Sequence, residues 1–135
     1  MSSPQAPSAR CRVLIVEDEW FLASDMQKAF TCLDADVMTL TGDLDDARAL
    51  IARGGFDVGV LDIGLRGHSA FGLADELQRQ GIPFIFATGY GPHVIPARFA
   101  DVPRWEKPFD PPAVARDVLQ LWRSGCEVKP KSPSP

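Results

Sequence analysis

The sequence predicts a doubly wound α/β domain: a five-stranded parallel sheet with helices on both faces, the fourth helix short or irregular. Two observations carry this expectation. Short β-rich runs alternate with amphipathic stretches of helical period, five of each. The runs are also near-continuously apolar, as befits strands covered on both faces. With 135 residues the chain has room for one such domain and not for two.

Arg12 to Val16 (RVLIV) reads as the first strand, and Phe21, Leu22, Met26, Ala29, Phe30 and Leu33 line one face of the helix that follows. Ala35 to Leu40 is the second strand. Asp43 then stands as an N-cap before a stripe of Leu44, Ala47, Leu50 and Ile51. Asp57 to Leu61 (DVGVL) is the third strand, with Asp57 expected to cap the preceding turn. Ala70 to Gln80 forms the third helix and Gly81 stops it, because glycine tolerates the left-handed conformation of a helix end. Pro83 to Ala87 (PFIFA) is the fourth strand. Gly91, Pro92 and Pro96 interrupt residues 89–102 and leave a turn or two near Val94 to Phe99. A short fifth strand runs from Val102 to Trp105. Asp110 and Pro111 open the last helix, whose apolar face is Val114, Val118, Leu119, Leu121 and Trp122.

Five of the twelve prolines lie near the ends (Pro4, Pro7, Pro130, Pro133, Pro135), so residues 1–9 and 125–135 read as disordered tails around a domain of residues 10–124. Cys11, Cys32 and Cys126 form no CxxC pair, which argues against a zinc site or a disulfide framework and for a cytoplasmic protein. No run is long enough for a signal peptide or a membrane span. Residues 1–62 hold 11 acids and 5 bases, residues 63–135 hold 7 acids and 9 bases, and no basic stripe suits a nucleic-acid backbone.

Ligands of such a sheet bind beyond the carboxyl ends of its strands. The expected ends carry Glu17, Asp18 and Glu19 after the first strand, Asp62 after the third, Thr88 and Gly89 after the fourth, and Lys107 and Pro108 after the fifth. An oxygen-only acidic cluster suits a hard cation and predicts Mg²⁺. A carboxylate there can act as nucleophile toward a phosphoryl group if cations neutralise the charge, and Asp62 is the candidate. Lys107, Mg²⁺ and the Thr88 hydroxyl would then each meet one phosphoryl oxygen.

The segments VLIVEDE, VLDIGL, FIFATGY and KPF, in this order over nearly the whole body, resemble a response-regulator receiver domain of the CheY-like kind. The FATGY run is similar to the subgroup known as FAT GUY receivers. The resemblance implies a flavodoxin-like strand order of 2-1-3-4-5 and a phosphoacceptor at Asp62, modified to 4-aspartylphosphate. It implies a Mg²⁺ site of Glu17, Asp18, Asp62 and the Gly64 carbonyl, a switch hydroxyl at Thr88, and a phosphate-contacting Lys107 with Pro108 in a cis-prone position. Its donor would be a histidine kinase, of the HWE/HisKA2 class in this subgroup, or a phosphotransfer protein. Phosphorylation would alter the face of the fourth helix, fifth strand and fifth helix, and autodephosphorylation would reset it without a separate enzyme class. Arg104 stands where most receivers carry an aromatic switch residue, with Trp105 expected on the opposite face, so readout is assigned to Thr88, Tyr90, Arg104 and Trp105. Met1 and the tail suit a stand-alone bacterial member, a monomer or weak dimer.

Plainer roles compete with these. Glu19 also reads as no more than a helix N-terminal charge, Asp43, Asp45 and Asp46 as a helix start, and His68 and His93 as exposed loop residues. The three tryptophans read as packing or interface residues. A degenerate receiver acting as a phosphorylation-independent binding module is the alternative function. A haloacid-dehalogenase-type phosphatase would need an acid where Gly64 stands, and a flavodoxin-like nucleotide or flavin site would need a Gly/Ser/Thr loop where Glu17 to Glu19 stand.

Overall fold

The computed structural model describes residues 10–41, 43–64, 70–89 and 94–126. Their elements are β1 (Arg12–Val16), α1 (Trp20–Cys32), β2 (Asp36–Thr41), α2 (Leu44–Arg53), β3 (Val58–Asp62), α3 (Phe71–Gln80), β4 (Phe84–Thr88), a 3-10 turn (Ala97–Phe99), β5 (Arg104–Glu106) and α4 (Pro111–Cys126). The strands form one sheet in the order β2-β1-β3-β4-β5, every pair parallel. The expected fold class and strand order are therefore both observed.

Successive residues of a strand point to opposite faces, and here both faces are covered. Val13, Ile15, Val58, Val60, Ile85 and Ala87 pack with Met26, Ala29 and Phe30 of α1 and with Val114, Val118 and Leu119 of α4. Leu14, Val16, Leu61, Phe84 and Phe86 pack on the other side with Ala47 and Ile51 of α2 and with Leu73, Ala74 and Leu77 of α3. That second layer contains an aromatic cluster. Phe86 meets Phe71, Phe84 and Phe99 edge to face at centroid distances of 5.8, 5.6 and 5.6 Å.

Strands two to five each extend one residue beyond the expected carboxyl end and begin one or two residues later. Proline has no N–H to give to a ladder, so regular pairing starts at Phe84 after Pro83 and at Arg104 after Pro103. Each proline still accepts a bond, from Gly59 N to Pro83 O and from Phe86 N to Pro103 O, both 3.0 Å. The later finish makes Asp62 and Thr88 the last residues of their strands, where the sheet fixes the backbone.

The helix ends follow local chemistry. Asp43 caps α2, its side chain accepting from Asp46 N at 3.0 Å. Gly81 ends α3 at φ 75°, the left-handed conformation expected of it. Asp57 departs from expectation: its carboxylate accepts from Arg12 N at 2.8 Å and pairs with the Arg12 guanidinium at 3.3 Å. It thus fastens β1 to β3 at their amino ends instead of capping a turn.

Between β4 and β5 the described chain forms only the 3-10 turn, as the glycines and prolines foretold. Phe99 anchors this turn in the aromatic cluster at 1% exposure, and Arg98 lies 4.6 Å above the Phe99 ring while gripping Asp75 of α3 at 2.8 and 3.0 Å. Burial of the ring outweighs the exposed ion pair as an anchor. Phe99→Ala should cost about 3–5 kcal/mol in urea denaturation, as for other buried Phe→Ala changes. Asp75→Asn should leave the urea midpoint close to that of the wild type.

Candidate functional site

The chain reverses its direction of growth across the sheet between β1 and β3, which opens a crevice at their carboxyl ends. Glu17 follows β1 directly, with its N–H donating to Thr41 O at 2.8 Å, and Asp62 closes β3. Glu17 is 3% exposed and Asp62 6%. Asp18 is half-buried beside them, and Glu17, Asp18 and Asp62 each offer an oxygen within 4.8 Å of the others.

Lys107 arrives from beyond β5. Its Nζ lies 3.0 Å from Glu17 Oε2, 3.4 Å from Asp62 Oδ2 and 3.5 Å from Glu19 Oε1. Its backbone N donates to Thr88 O at 2.7 Å, and the Lys107–Pro108 peptide is cis. Thr88 is fully buried and is the register partner of Glu106, while Asp62 pairs with Ala87, the residue before Thr88. Gly64 N donates to Asp62 Oδ1 at 3.3 Å. The structure therefore brings Glu17, Asp18, Asp62, Gly64 and Lys107 together and places Thr88 at the adjoining strand end.

Burial governs the charges here. Removal from water raises the Glu17 carboxyl to about 7, the Asp62 charge adds to the rise, and the Glu19 N–H and the Lys107 ammonium oppose it. Asp62 is raised by the same desolvation, against the pull of Lys107 and the Gly64 N–H. Burial works against the Lys107 ammonium, yet its hydrogen bond to Glu17 and the surrounding carboxylates carry its pKa above the ordinary value.

The donor set fits a hard divalent cation. It is oxygen only, and the buried Glu17 Oε1 has no hydrogen-bond partner among the described residues. Leaving such an oxygen unpaired costs about 1–3 kcal/mol or more for a charged group, which a cation would relieve.

The proposed readout residues separate. Arg104 is the register partner of Phe86 and Trp105 that of Ala87, so they lie on opposite sheet faces as expected. Trp105 packs toward α4, its indole N–H donating to Asp117 at 2.9 Å. Arg104 Nη1 is buried 3.4 Å from Glu106 Oε2 and makes no hydrogen bond among the described residues. Tyr90, His68, His93 and the two tails, apart from residues 125 and 126, lie outside the described residues. Sequence reasoning underrated Glu19: its side chain makes no cap bond to α1 and approaches Lys107. Only the strand order brings that lysine beside the acidic run. Trp20 and Phe21, also beside the acidic run, are 71% and 77% exposed and form an edge-to-face pair at 4.8 Å.

The raised Glu17 carboxyl sets a pH dependence for the metal-free protein. Between the ordinary carboxylate range and pH 7 the folded state holds a proton that the unfolded state has lost, so stability falls as pH rises through this window. Thermal or urea unfolding without divalent cations should show wild-type stability declining relative to Glu17→Gln from pH 5 to pH 8, by on the order of 2 kcal/mol.

No family model and no curated protein sequence matches the chain. Among solved structures, SdrG from Sphingomonas melonis Fr1 is 34% identical, with 86% of this chain and 98% of that one covered at a TM-score of 0.73. A BeF3-activated conformation of SdrG, from Pseudomonas melonis Fr1, is 36% identical over 85% and 98%, with a TM-score of 0.67. A CheY-like response regulator receiver domain protein from Methanospirillum hungatei JF-1 is 18% identical over 88% and 98%, with a TM-score of 0.77, and shares the fold. The response regulator PhyR from Brucella abortus is 25% identical, and 88% of this chain covers 52% of it at a TM-score of 0.69. With SdrG similar over nearly its full length and the receiver fold shared throughout, the chain belongs to the CheY-like response-regulator receiver domain family.

Proposed function

We propose that the protein is a response-regulator receiver of a bacterial, cytoplasmic two-component phosphorelay, in which Asp62 accepts a phosphoryl group from a phosphohistidine. The observation that carries this reading is the Lys107 ammonium set 3.0 Å from Glu17 and 3.4 Å from Asp62 at the switch point of the sheet. An Asp62 oxygen would attack phosphorus while the P–N bond breaks and its electron pair leaves on the imidazole nitrogen. The product is an acyl phosphate, and attack of water at phosphorus would return the carboxylate and inorganic phosphate.

Each neighbour has a definable part. Lys107 would meet one phosphoryl oxygen and hold the incoming group in line with Asp62. Thr88 would offer its hydroxyl to another as the phosphate forms. Mg²⁺, held by Glu17, Asp18, Asp62 and the Gly64 carbonyl, would supply neutralisation for a phosphoryl group among carboxylates. The Phe86-Ala87-Thr88-Gly89 run and the likeness to SdrG and PhyR support the FAT GUY subgroup, with readout through Thr88, Tyr90, Arg104 and Trp105. The BeF3-activated form of SdrG supports activation by a phosphoryl-like group.

The exposed Trp20–Phe21 pair supports a protein as donor, because an aromatic pair open to water beside the site can be covered by a partner. That partner would be a histidine kinase of the HWE/HisKA2 class or a phosphotransfer protein. Output would pass through protein contacts or onward phosphotransfer.

Incubation with acetyl phosphate or phosphoramidate should add the mass of one phosphoryl group in the presence of Mg²⁺, and Asp62→Asn should abolish the gain. If neither small donors nor a cognate kinase label Asp62, the constitutive binding module replaces this reading. Trp20→Ala with Phe21→Ala should slow transfer from a protein donor by about tenfold, as expected for an interface anchor, and leave the acetyl phosphate rate unchanged.

A further inference from the structure

The three carboxylates around Lys107 differ in what else they do. Glu17 and Asp62 are buried and belong to the proposed cation and phosphoryl sites, whereas Glu19 stands at the rim with its side chain 62% exposed. Its Oε1 lies 3.5 Å from Lys107 Nζ. Its backbone N–H donates at 3.0 Å to Glu17 Oε2, the oxygen that also receives Lys107. Glu19 occupies the N-cap position of α1 without a side-chain cap bond, in contrast to Asp43, which caps α2. The Glu19 carboxylate thus approaches the ammonium and makes no cap bond to the helix.

An ammonium has three donors and no acceptor, and each of these carboxylates can compete for it. Once Glu17 and Asp62 are engaged by the cation and the phosphoryl group, Glu19 is the carboxylate around Lys107 that belongs to neither and still competes with the phosphoryl oxygen for the ammonium. We propose that Glu19 is a positioning residue that restrains Lys107 by direct contact and so slows its passage to the phosphoryl group on Asp62. The rate consequence rests on the phosphoacceptor reading; the contact does not.

Two variants of the full chain separate contact from simple charge. Glu19→Gln removes the charge, whereas Glu19→Asp keeps it and shortens the reach by one methylene. With acetyl phosphate and Mg²⁺, both should gain the phosphoryl mass about two- to fivefold faster than the wild type, the range of a partly exposed ion pair. In the metal-free protein both should also move the Lys107 Nζ resonance in nitrogen-15 spectra. The proposal is overturned if Glu19→Gln is no faster, if Glu19→Asp keeps the wild-type rate, or if the Nζ resonance stays in place. A wild type that takes no phosphoryl group from acetyl phosphate or from a cognate kinase sinks the phosphoacceptor reading and the rate consequence together, and the Nζ resonance then decides the contact alone.

Discussion

Two carboxylates that lie within 6% of complete burial share one ammonium at the switch point of the sheet, and the surrounding architecture serves to make that tolerable. Burying like charges side by side is costly, and removing the compensating cation would leave them unpaired. The sheet supplies the compensation through its order. Lys107 lies 90 positions from Glu17 in sequence, yet β5 adds to β4 and β4 to β3, and the lysine backbone is tied to Thr88 before its side chain reaches the acids.

The two layers beneath the site have unlike packing. Toward α1 and α4 the sheet presents Val, Ile and Ala, and Trp105 and Phe109 border that side. Toward α2 and α3 it presents phenylalanines that meet edge to face and hold the 3-10 turn through Phe99. Among the described residues the segment after Thr88 is anchored by the buried Phe99 ring, by Ile95 and Val102 packed against the same cluster, and by an exposed ion pair, Arg98 with Asp75.

Most of this fold was legible in the sequence because continuous apolar strands and capped helices are local signals. RVLIV, the Asp43 cap and the Gly81 stop each announce themselves within a few residues. Strand limits were less legible, since ladder bonds decide them and the prolines at 83 and 103 only displace the start. At the site, residue types and order pointed to Glu17, Asp18, Asp62, Thr88 and Lys107, and the geometry gathers the charged members. What the sequence hid was pairing across the sheet: Glu19 with Lys107 and Asp57 with Arg12. These contacts depend on register, which no local pattern records.

The unpartnered Glu17 Oε1 also bears on any attempt to engineer the domain for robustness. It is a point of local frustration, where the residue best for folding and the residue best for the site differ. A selection that scored heat resistance alone would drift toward an amide or alkyl group at position 17 and discard the site first. Robustness is better sought at an exposed apolar position that does not line the site, for example Met38 of the edge strand β2.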